Sequence, residues 1–389
     1  MSTTHPDCII VGAGLFGAVV SQRLRERGFA CLVLEHRAHI GGNCFTYDSD
    51  GIIVHSYGAH IFNTNSKRVW NYVGRFAQFM PFKNAPVALN NGRLYSLPIN
   101  MFTFNQLWGV VSPAAARDRV RTQRELTSGR IDTVESVALE KVGRDVYETL
   151  IRDYTEKQWG RPCSELPGSV LSRIPIRYTY DNNYYNTRYQ GIPVGGYTPL
   201  IARLLLGVEV RTGIPYEGVR GVVRDYLQLG VPVIWTGTID SYFDYKLGHL
   251  EYRGLRFEHM VLDCDDYQGN AVVNYCDRTP YTRSIEHKHF MLGSGQECRS
   301  GRRTVVTREY PCSCCGTVDP YYPINDERNN ALYARYAGLS RDPGLYFCGR
   351  LGSYRYATMS ETVETALAFS DNLCNILKKK GGRHDSRGS

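Results

Sequence analysis

The sequence contains no long apolar run, and its cysteines are few for its length. None of its 389 residues lies in a stretch approaching the ~20 apolar residues with which a helix crosses a bilayer. The first apolar run, Cys8–Val11, stops at Gly12, and no basic segment precedes it as in a signal peptide. Twelve cysteines are too sparse for a disulfide scaffold. We therefore expect a cytoplasmic protein that has neither a signal peptide nor a membrane span.

Nucleic-acid binding and metal binding are not indicated either. The net charge is +8, but the arginines are scattered and form no basic stripe. Cys312, Cys314 and Cys315 follow a C-x-C-C pattern rather than the paired spacing of zinc sites. We predict no metal site and interpret this cluster as free thiols in a surface loop. A small anionic ligand is the simplest partner for the positive charge.

The N-terminal residues have the order of parts found in a dinucleotide-binding unit. The β-branched run Cys8–Val11 predicts a buried parallel strand, and Gly12-Ala-Gly14-Leu-Phe-Gly17 follows it at once. Helical periodicity covers residues 18–27, and a second apolar strand covers 30–34. A G-x-G-x-x-G sequence between a strand and a helix is the context in which this motif is specific.

Each part of this unit has a physical role at a bound dinucleotide. Gly12 permits the tight turn, Gly14 lets the backbone approach a pyrophosphate, and Gly17 lets the helix pack against the strand. The helix start presents free N–H groups and its positive dipole end to the phosphates. Glu35, which lies 18 residues after Gly17, is placed to accept hydrogen bonds from a ribose, so FAD or NAD is favoured over NADP. The following run, Ile40-Gly41-Gly42-Asn43, is similar to the extended FAD signature of glutathione-reductase-like flavoproteins.

Other segments predict that the cofactor domain is discontinuous. Periodicity and composition indicate strands at 82–97, 231–235, 255–275, 282–290 and 344–348, and helices over 101–166 and 360–376. We expect an α/β fold with α+β insertions: an FAD-binding Rossmann-like domain of the glutathione-reductase type (residues 1–78, 193–243 and 332–380), a helical insert (100–170), an antiparallel sheet domain that binds the substrate (79–99, 171–192 and 244–331) and a disordered tail (381–389).

Tyrosine is abundant, with 28 residues, and several tyrosines lie close to arginines in the sequence. Tyrosines stack on sugars and bases and hydrogen-bond to their rims, although they also suit a domain boundary. Arginine is the side chain best shaped to hold a diphosphate through paired N–H groups. Candidates of this kind are Arg173, Arg177, Arg283, Arg308 and Arg350.

An ordered set of motifs resembles the UDP-galactopyranose mutase family from about residue 7 to residue 377. The motifs include Tyr57-Gly-Ala-His60-Ile-Phe-Asn63-Thr64, Ser96-Leu-Pro-Ile-Asn100, Tyr154-Thr-Glu-Lys-Gln-Trp159-Gly160, Arg173-Ile-Pro-Ile-Arg177, Asn274-Tyr275, Tyr321-Tyr322-Pro323 and Gly349-Arg350-Leu-Gly-Ser-Tyr-Arg-Tyr356. The resemblance implies an isomerase that interconverts UDP-galactopyranose and UDP-galactofuranose.

The chemistry implied by the resemblance uses a flavin without net oxidation. N5 of reduced FAD attacks the anomeric carbon and UDP leaves. The flavin–sugar adduct opens to an iminium, the ring recloses through a different hydroxyl, and UDP returns. An external reductant such as NAD(P)H keeps the flavin reduced. The expected assembly is a homodimer or a higher homo-oligomer.

By position, the resemblance also assigns roles to individual residues. The expected catalytic residues are Arg173 and Arg283, which clamp the diphosphate (Arg173 from a mobile loop), and His60, which faces the sugar and the flavin. The expected substrate-binding residues are Asn84, Tyr154, Trp159, Tyr184, Asn274, Tyr322 and Tyr356. The expected cofactor-binding residues are Gly12, Gly14, Phe16, Gly17, Glu35, Gly42, Asn43, His60, Asn63, Arg350 and Met359. Two fixed cations would stabilise the charge that grows on the leaving diphosphate.

Four sites depart from the family pattern and leave open whether the substrate is a different nucleotide sugar. The family usually has His at Asn63, Pro at Ala59, an aromatic pair at Leu150-Ile151 and Asp at Thr358. A lost aromatic ring beside a base removes stacking worth ~1–3 kcal/mol in nucleic-acid complexes. Another nucleotide sugar, such as a TDP-6-deoxyhexose or UDP-N-acetylgalactosamine, is therefore an alternative.

Two further classes remain open from the sequence. One is an FAD-dependent amine or polyene oxidoreductase of the same superfamily, although its apolar substrate would not require Arg173 and Arg283. The other is a flavin- or nucleotide-binding protein without catalytic activity.

Overall fold

The computed structural model describes residues 5–124, 133–291, 301–314 and 318–381. In chain order, the strands of this part are β1 (Cys8–Val11), β2 (Cys31–Leu34), β3 (Thr46–Ser49), β4 (Ile52–His55), β5 (Phe62–Thr64), β6 (Phe79–Pro81), β7 (Val87–Asn90), β8 (Arg93–Ser96), β9 (Tyr189–Pro193), β10 (Glu209–Arg211), β11 (Val233–Trp235), β12 (Tyr252–Leu262), β13 (Val272–Tyr275), β14 (Arg283–Glu286), β15 (Thr304–Ser313), β16 (Pro320–Pro323) and β17 (Leu345–Phe347). The helices are α1 (Leu15–Glu26), α2 (Lys67–Val73), α3 (Met101–Trp108), α4 (Pro113–Gln123), α5 (Val134–Val142), α6 (Arg144–Val146), α7 (Arg152–Trp159), α8 (Tyr197–Leu204), α9 (Tyr216–Gln228), α10 (Ile239–Tyr242), α11 (Glu327–Ala337), α12 (Gly349–Gly352) and α13 (Met359–Gly381). Within these ranges, no helix has the length and apolar character that crossing a membrane requires.

Five parallel strands form the sheet that carries the N-terminal glycine motif, in the order β10-β2-β1-β11-β17. β1, β2 and β11 are buried along their whole length because helices cover both faces of the sheet. α1, α8 and α13 pack on one face, where Leu24, Ile201 and Leu367 share a core. α9 packs on the other face through Val219 and Val223. The predicted α/β fold with a Rossmann-like sheet is confirmed.

The outer elements of this sheet differ slightly from the predicted bounds. β11 begins at Val233 rather than at residue 231, because Pro232 has no N–H to donate and only its carbonyl pairs, with the N–H of Ile9 at 3.0 Å. α13 begins at Met359 and continues to Gly381, beyond the predicted end at 376. The tail expected from residue 381 otherwise lies outside the described residues. The domain boundaries stay predictions.

A second sheet has seven strands in the order β16-β12-β15-β14-β13-β7-β8. The sequence predicted an antiparallel sheet, and this is wrong for one pair, since β7 and β13 run parallel. The chain leaves β8 through the helical insert and the first sheet before it reaches β13, and so long a crossover allows a parallel return. The strand expected over 282–290 ends at Glu286, and His287–Met291 forms a 3₁₀ turn.

The helices α3 to α7 form the predicted helical insert around a buried core that includes Phe104 and Val134. Between α6 and α7 the chain makes a π-helical turn, Tyr147–Ile151. The side-chain amide of Asn90, in β7, donates hydrogen bonds to the carbonyl oxygens of Thr149 at 2.6 Å and Cys276 at 2.9 Å. Asn90 therefore connects the insert to the second sheet at the irregular turn.

Only part of the cysteine cluster lies in a loop. Cys312 lies in β15, opposite Gly254 of β12, so its assignment to a surface loop was wrong. β15 continues to Ser313 because each of its residues pairs with a residue of the longer strand β12. The thiol of Cys314 donates to the carbonyl oxygen of Asp319 at 3.7 Å. Cys315 lies outside the described residues.

Candidate active site

A cleft at the carboxyl ends of β1 and β2 has glycines in its wall, and at three of them a side chain would crowd the neighbouring atoms. A Cβ atom on Gly12, which has φ +108°, would lie 2.0 Å from Thr236 Oγ1. A Cβ atom on Gly17 would lie 2.1 Å from the carbonyl oxygen of Gly12, and one on Gly42 would lie 3.0 Å from Gly14 Cα. A ligand at this edge can therefore approach the backbone directly.

The first turn of α1 faces the same cleft. Gly14 precedes the helix in an extended conformation, and no side chain caps the helix start. Leu15, Phe16 and Gly17 line the cleft. Uncapped N–H groups and the positive end of a helix dipole together form a binding site for phosphate.

Glu35 directly follows β2, and the residue is 4% exposed. Its Oε2 accepts a hydrogen bond from the N–H of Ala13 at 2.8 Å, and its Oε1 accepts one from the N–H of Arg37 at 2.9 Å. Burial alone would raise the pKa of Glu35, but the hydrogen bonds from His36, Arg37 and Ala13 outweigh burial and lower it. Glu35 is therefore ionised and can accept hydrogen bonds from ribose hydroxyls.

Asp319 joins the second sheet to this end of the cleft. Its Oδ2 accepts hydrogen bonds from Arg37 Nη2 at 2.7 Å and Arg37 Nε at 3.0 Å, and His36 Nε2 lies 3.7 Å from its Oδ1. Arg37 Nη1 also donates to Asn43 Oδ1 at 3.1 Å. Hydrogen bonds to Asp319 and Glu35 raise the pKa of His36 to about 9. The cleft thus has a charged clasp, formed by His36, Arg37 and Asp319, at its outer end.

The inner end of the cleft contains His60 and Arg350. His60 Nδ1 lies 2.7 Å from the carbonyl oxygen of Gly58, which can only accept a hydrogen bond, so Nδ1 carries the proton. Burial lowers the pKa of His60 to about 4, so the ring is neutral at pH 7 and Nε2 carries a lone pair. Arg350 Nη2 donates to the carbonyl oxygen of Ala357 at 2.9 Å, and its guanidinium carbon lies 5.2 Å from the ring centre of Tyr356.

The residues expected at the cofactor meet in this cleft, with one exception. Those that line it are Gly12, Gly14, Phe16, Gly17, Glu35, Gly42, Asn43, His60, Arg350 and Met359. Asn63 is not among the lining residues of the described chain. It lies in β5, and its side-chain amide donates to the carbonyl oxygen of Ile61 at 3.2 Å.

Arg283, at the start of β14, is held by three side chains. Its Nε donates to Asn274 Oδ1 at 3.1 Å, its Nη1 donates to Glu309 Oε2 at 3.2 Å, and its Nη2 donates to Tyr154 Oη at 2.8 Å. Arg283 and Asn274 are directly paired between β14 and β13. The guanidinium is therefore oriented in advance, and it keeps further N–H groups for an anion.

Tyrosines surround this guanidinium. The rings of Tyr322 and Tyr356 stack with their centres 5.6 Å apart, and Trp159 lies 6.5 Å from Tyr322. Burial raises the pKa of Tyr154, Tyr184 and Tyr322. These phenols therefore keep their protons and can donate hydrogen bonds to an anion at neutral pH.

Two cavities meet at Arg283, which both share with Tyr154 and Ile174. One cavity has an aliphatic wall that includes Leu150 and Ile151, at the π-helical turn. Its predicted substrate residues are Asn84, Tyr154, Tyr184 and Asn274. The predicted substrate residues of the other cavity are Tyr154, Trp159, Tyr322 and Tyr356.

Arg173 is the predicted site residue about which the structure says least. Its backbone ends the 3₁₀ turn Gly168–Arg173, and its side chain lies outside the described part of the chain. Ser169 and Val170 of the same turn line the second cavity. The backbone of Arg173 is thus close to the site, and its role as a clamp stays a prediction.

Two acidic residues of the site, Glu309 and Asp319, were not predicted from the sequence. Glu309 is 2% exposed, and its pKa is raised by burial, against the opposing effects of Arg283 and the N–H of Ala59. Neither residue belongs to a short motif. Their contacts depend on pairing between segments that are far apart in the chain, and no local pattern could have indicated them.

A Rossmann-like cleft together with a pre-oriented arginine among tyrosines is typical of an enzyme that binds a dinucleotide and an anionic substrate. Comparison of the sequence with known protein families narrows this class of enzyme to one family. The family described as UDP-galactopyranose mutase matches residues 149–356, and the NAD(P)-binding Rossmann-like domain matches residues 10–76. The chain belongs to the UDP-galactopyranose mutase family, so the resemblance found in the sequence is confirmed. The protein is a sugar mutase and hence an isomerase.

Full-length relatives agree with this assignment. The chain is 39% identical over 378 residues to the probable UDP-galactopyranose mutase of Klebsiella pneumoniae, with 96% of each chain covered. It is 36% identical over 367 residues to the dTDP-fucopyranose mutase of Escherichia coli, with 92% of this chain and 96% of that protein covered. A crystal structure of reduced UDP-galactopyranose mutase has the same fold, with a TM-score of 0.70 over 96% of this chain and 94% of that one, at 12% identity.

Proposed function

We propose that the protein interconverts UDP-galactopyranose and UDP-galactofuranose and that its cofactor is FAD in the reduced state. The observation that carries this proposal is the position of Arg283, held by three side chains where two substrate cavities meet. A nucleoside diphosphate sugar has an anionic centre with a base on one side and a sugar on the other. The two cavities provide room on both sides of the guanidinium.

The residues of the cleft fit a flavin dinucleotide. The uncapped start of α1 and the backbone at Gly12 and Gly14 would hold the pyrophosphate, and Glu35 would hold the ribose of the adenosine. Arg350 and His60 would lie at the flavin end of the cleft. When bound and reduced, the flavin would supply the nucleophile for the anomeric carbon.

The protein's own part in the reaction would begin with the departure of the diphosphate. Negative charge grows on the leaving phosphate in the transition state, and Arg283 is already oriented to stabilise it. Tyr184, Tyr322 and Tyr356 would add hydrogen bonds from their hydroxyl groups. Because these groups need no reorganisation, they favour the transition state over the bound substrate.

His60 would handle a proton during ring closure. The sugar hydroxyl that closes the ring loses its proton as it attacks the anomeric carbon. His60 Nε2 carries a lone pair because Nδ1 donates to the carbonyl oxygen of Gly58 and the ring is neutral. A neutral imidazole at the inner end of the cleft can therefore accept a hydrogen bond, and then the proton, from that hydroxyl.

A dTDP-6-deoxyhexose is the second candidate substrate. The cavity wall formed by Leu150 and Ile151 is aliphatic and suits a methylated base. Burial of one such carbon stabilises binding by ~0.8 kcal/mol. The E. coli relative, named a dTDP-fucopyranose mutase, points in the same direction. The ring-contraction chemistry would be the same for both substrates.

The test is to incubate the protein with UDP-galactofuranose or dTDP-fucofuranose under nitrogen, with and without dithionite, and to separate the products by chromatography. Conversion to UDP-galactopyranose only after reduction would support the main proposal. Conversion of the dTDP-sugar alone would move the assignment to the second candidate. Failure to convert either sugar, in protein that carries reduced flavin, would contradict both. A homo-oligomeric assembly, a cytoplasmic location and NAD(P)H as reductant stay predictions.

A further inference from the structure

Lys157 lies in α7 between two proposed substrate residues, Tyr154 and Trp159. Its ammonium nitrogen does not face the cavities but donates three hydrogen bonds to backbone carbonyl oxygens. The acceptors are Tyr275 at 2.8 Å, Thr279 at 2.8 Å and Tyr281 at 3.2 Å. An ammonium has three N–H donors, so the side chain is fully used in this contact.

The three carbonyl groups belong to one hairpin. Tyr275 ends β13, and Tyr281 comes two residues before β14 begins. The same two strands carry Asn274 and Arg283, which are directly paired. Lys157 therefore holds the turn of the hairpin whose strands present the proposed diphosphate clamp.

The helix and the hairpin also meet inside the site. Arg283 Nη2 donates to Tyr154 Oη at 2.8 Å, and this distance depends on how far α7 lies from β14. A second anchor, Arg253 of β12, donates to the carbonyl oxygens of Gln158 at 3.0 Å and Lys157 at 3.3 Å. Because Arg253 holds the end of α7 to the sheet, loss of the Lys157 side chain should shift the hairpin without unfolding the helix.

We propose that Lys157 is a positioning residue, which sets the spacing between α7 and the β13–β14 hairpin and thereby the affinity for the nucleoside diphosphate part of the substrate. The inference rests on the proposed function, since it takes the two cavities at Arg283 as the substrate site. Lys157 touches neither the cleft nor the cavities. Its effect would be transmitted through Tyr154, Asn274 and Arg283.

The experiment compares Lys157→Met, Lys157→Arg and the wild type, with Lys141→Met as the matched control. Lys141 is exposed on α5 of the same insert. For each protein, the Kd values for UDP and dTDP are measured by calorimetry. The bound flavin, the thermal unfolding midpoint, and kcat and KM with the reduced enzyme are also measured. If Lys157→Met does not fold, Lys157→Gln, which keeps two donors without the charge, takes its place.

We expect Lys157→Met to raise the Kd for the preferred nucleotide and the KM by about tenfold or more, because small displacements of positioned groups have effects of this size. Flavin content should stay at the wild-type level, and Lys157→Arg should recover part of the affinity. Lys141→Met should match the wild type. A lower unfolding midpoint with unchanged Kd and KM would overturn the inference, since it would show a purely structural role. If the wild type binds neither nucleotide, the proposed function fails as well, so the two failures are distinguishable.

Discussion

The carboxylate of Glu309 connects Arg283, in the proposed diphosphate site, to the loop that carries His60. Its Oε2 accepts a hydrogen bond from Arg283 Nη1 at 3.2 Å. Its Oε1 lies so close to Gly58 that a Cβ atom there would be 2.6 Å away. The N–H of Ala59 also donates to this carboxylate. One buried acid thus orients the cation and holds the backbone that positions the imidazole.

Removal of this carboxylate should destabilise the fold as well as the site. Glu309→Ala leaves Arg283 without its counter-ion, and we expect the free energy of unfolding to fall by about 2 kcal/mol, since Arg283 keeps some contact with solvent. Urea unfolding followed by circular dichroism measures this change. Glu258→Ala, which breaks an exposed pair with Arg308, should cost less than ~1 kcal/mol. Equal losses in the two variants would argue against a special role for the Glu309 carboxylate.

Substitution of Arg283 should remove turnover and leave the flavin bound. Arg283→Lys keeps the charge, but it lacks the planar fork that reaches Asn274, Glu309 and Tyr154, and its three N–H donors leave none for the anion. We therefore expect kcat to fall on the order of 100-fold. The assay is furanose-to-pyranose conversion by the reduced enzyme, with flavin content read from absorbance. The control is Arg308→Lys. In the wild type, the guanidinium of Arg308 packs over the ring of Tyr281. Near-normal kcat in Arg283→Lys would exclude the clamp role.

Glu35 should be needed to retain the dinucleotide. Glu35→Gln preserves the shape of the side chain but not the charge that accepts ribose hydrogen bonds, so the Kd for FAD should rise by about tenfold. Reconstitution of the flavin-free protein with FAD, followed by fluorescence quenching, gives the Kd. Glu209→Gln, on the exposed edge strand β10, serves as the control. A variant that remains fully yellow after extensive dialysis would count against the ribose contact.

The clasp at the outer end of the cleft should weaken at alkaline pH, because His36 loses its charge. The pKa of His36 is about 9 in the folded protein, above its usual value of about 6.5. The stabilisation that the charged imidazole contributes is therefore complete below about pH 6.5 and is lost as the pH rises through about 9. We expect flavin retention and stability to decline between about pH 6.5 and pH 9 more steeply in the wild type than in His36→Gln or Asp319→Asn.

Parallel decline of the wild type and both variants would mean that other groups control alkaline release. Arg37 provides a useful contrast, because it donates to Asp319 through Nε and Nη2 without the help of His36. Its pair with Asp319 should therefore persist after His36 has lost its proton.

The phosphate and ribose end of the cleft was largely predictable because its parts are local in the chain. A strand, three glycines, a helix start and an acid lie within residues 7–35, and Glu35 accepts a hydrogen bond from Ala13 within this segment. The role of Asn63 at the cofactor stays a prediction. Its place in the motif indicated the cleft, but in β5 its amide bonds to the carbonyl oxygen of Ile61.

The sequence by itself determined the family, the Rossmann-like sheet and the types of residue at the site, because motif spacing and apolar periodicity act over short distances. Only the tertiary structure decided which distant groups meet. Glu309 reaches Arg283 because β14 and β15 pair in a particular register. Lys157 reaches the hairpin carbonyls, and Asp319 reaches Arg37, across segments more than one hundred residues apart. Such contacts depend on the packing of the whole chain, which no local pattern encodes.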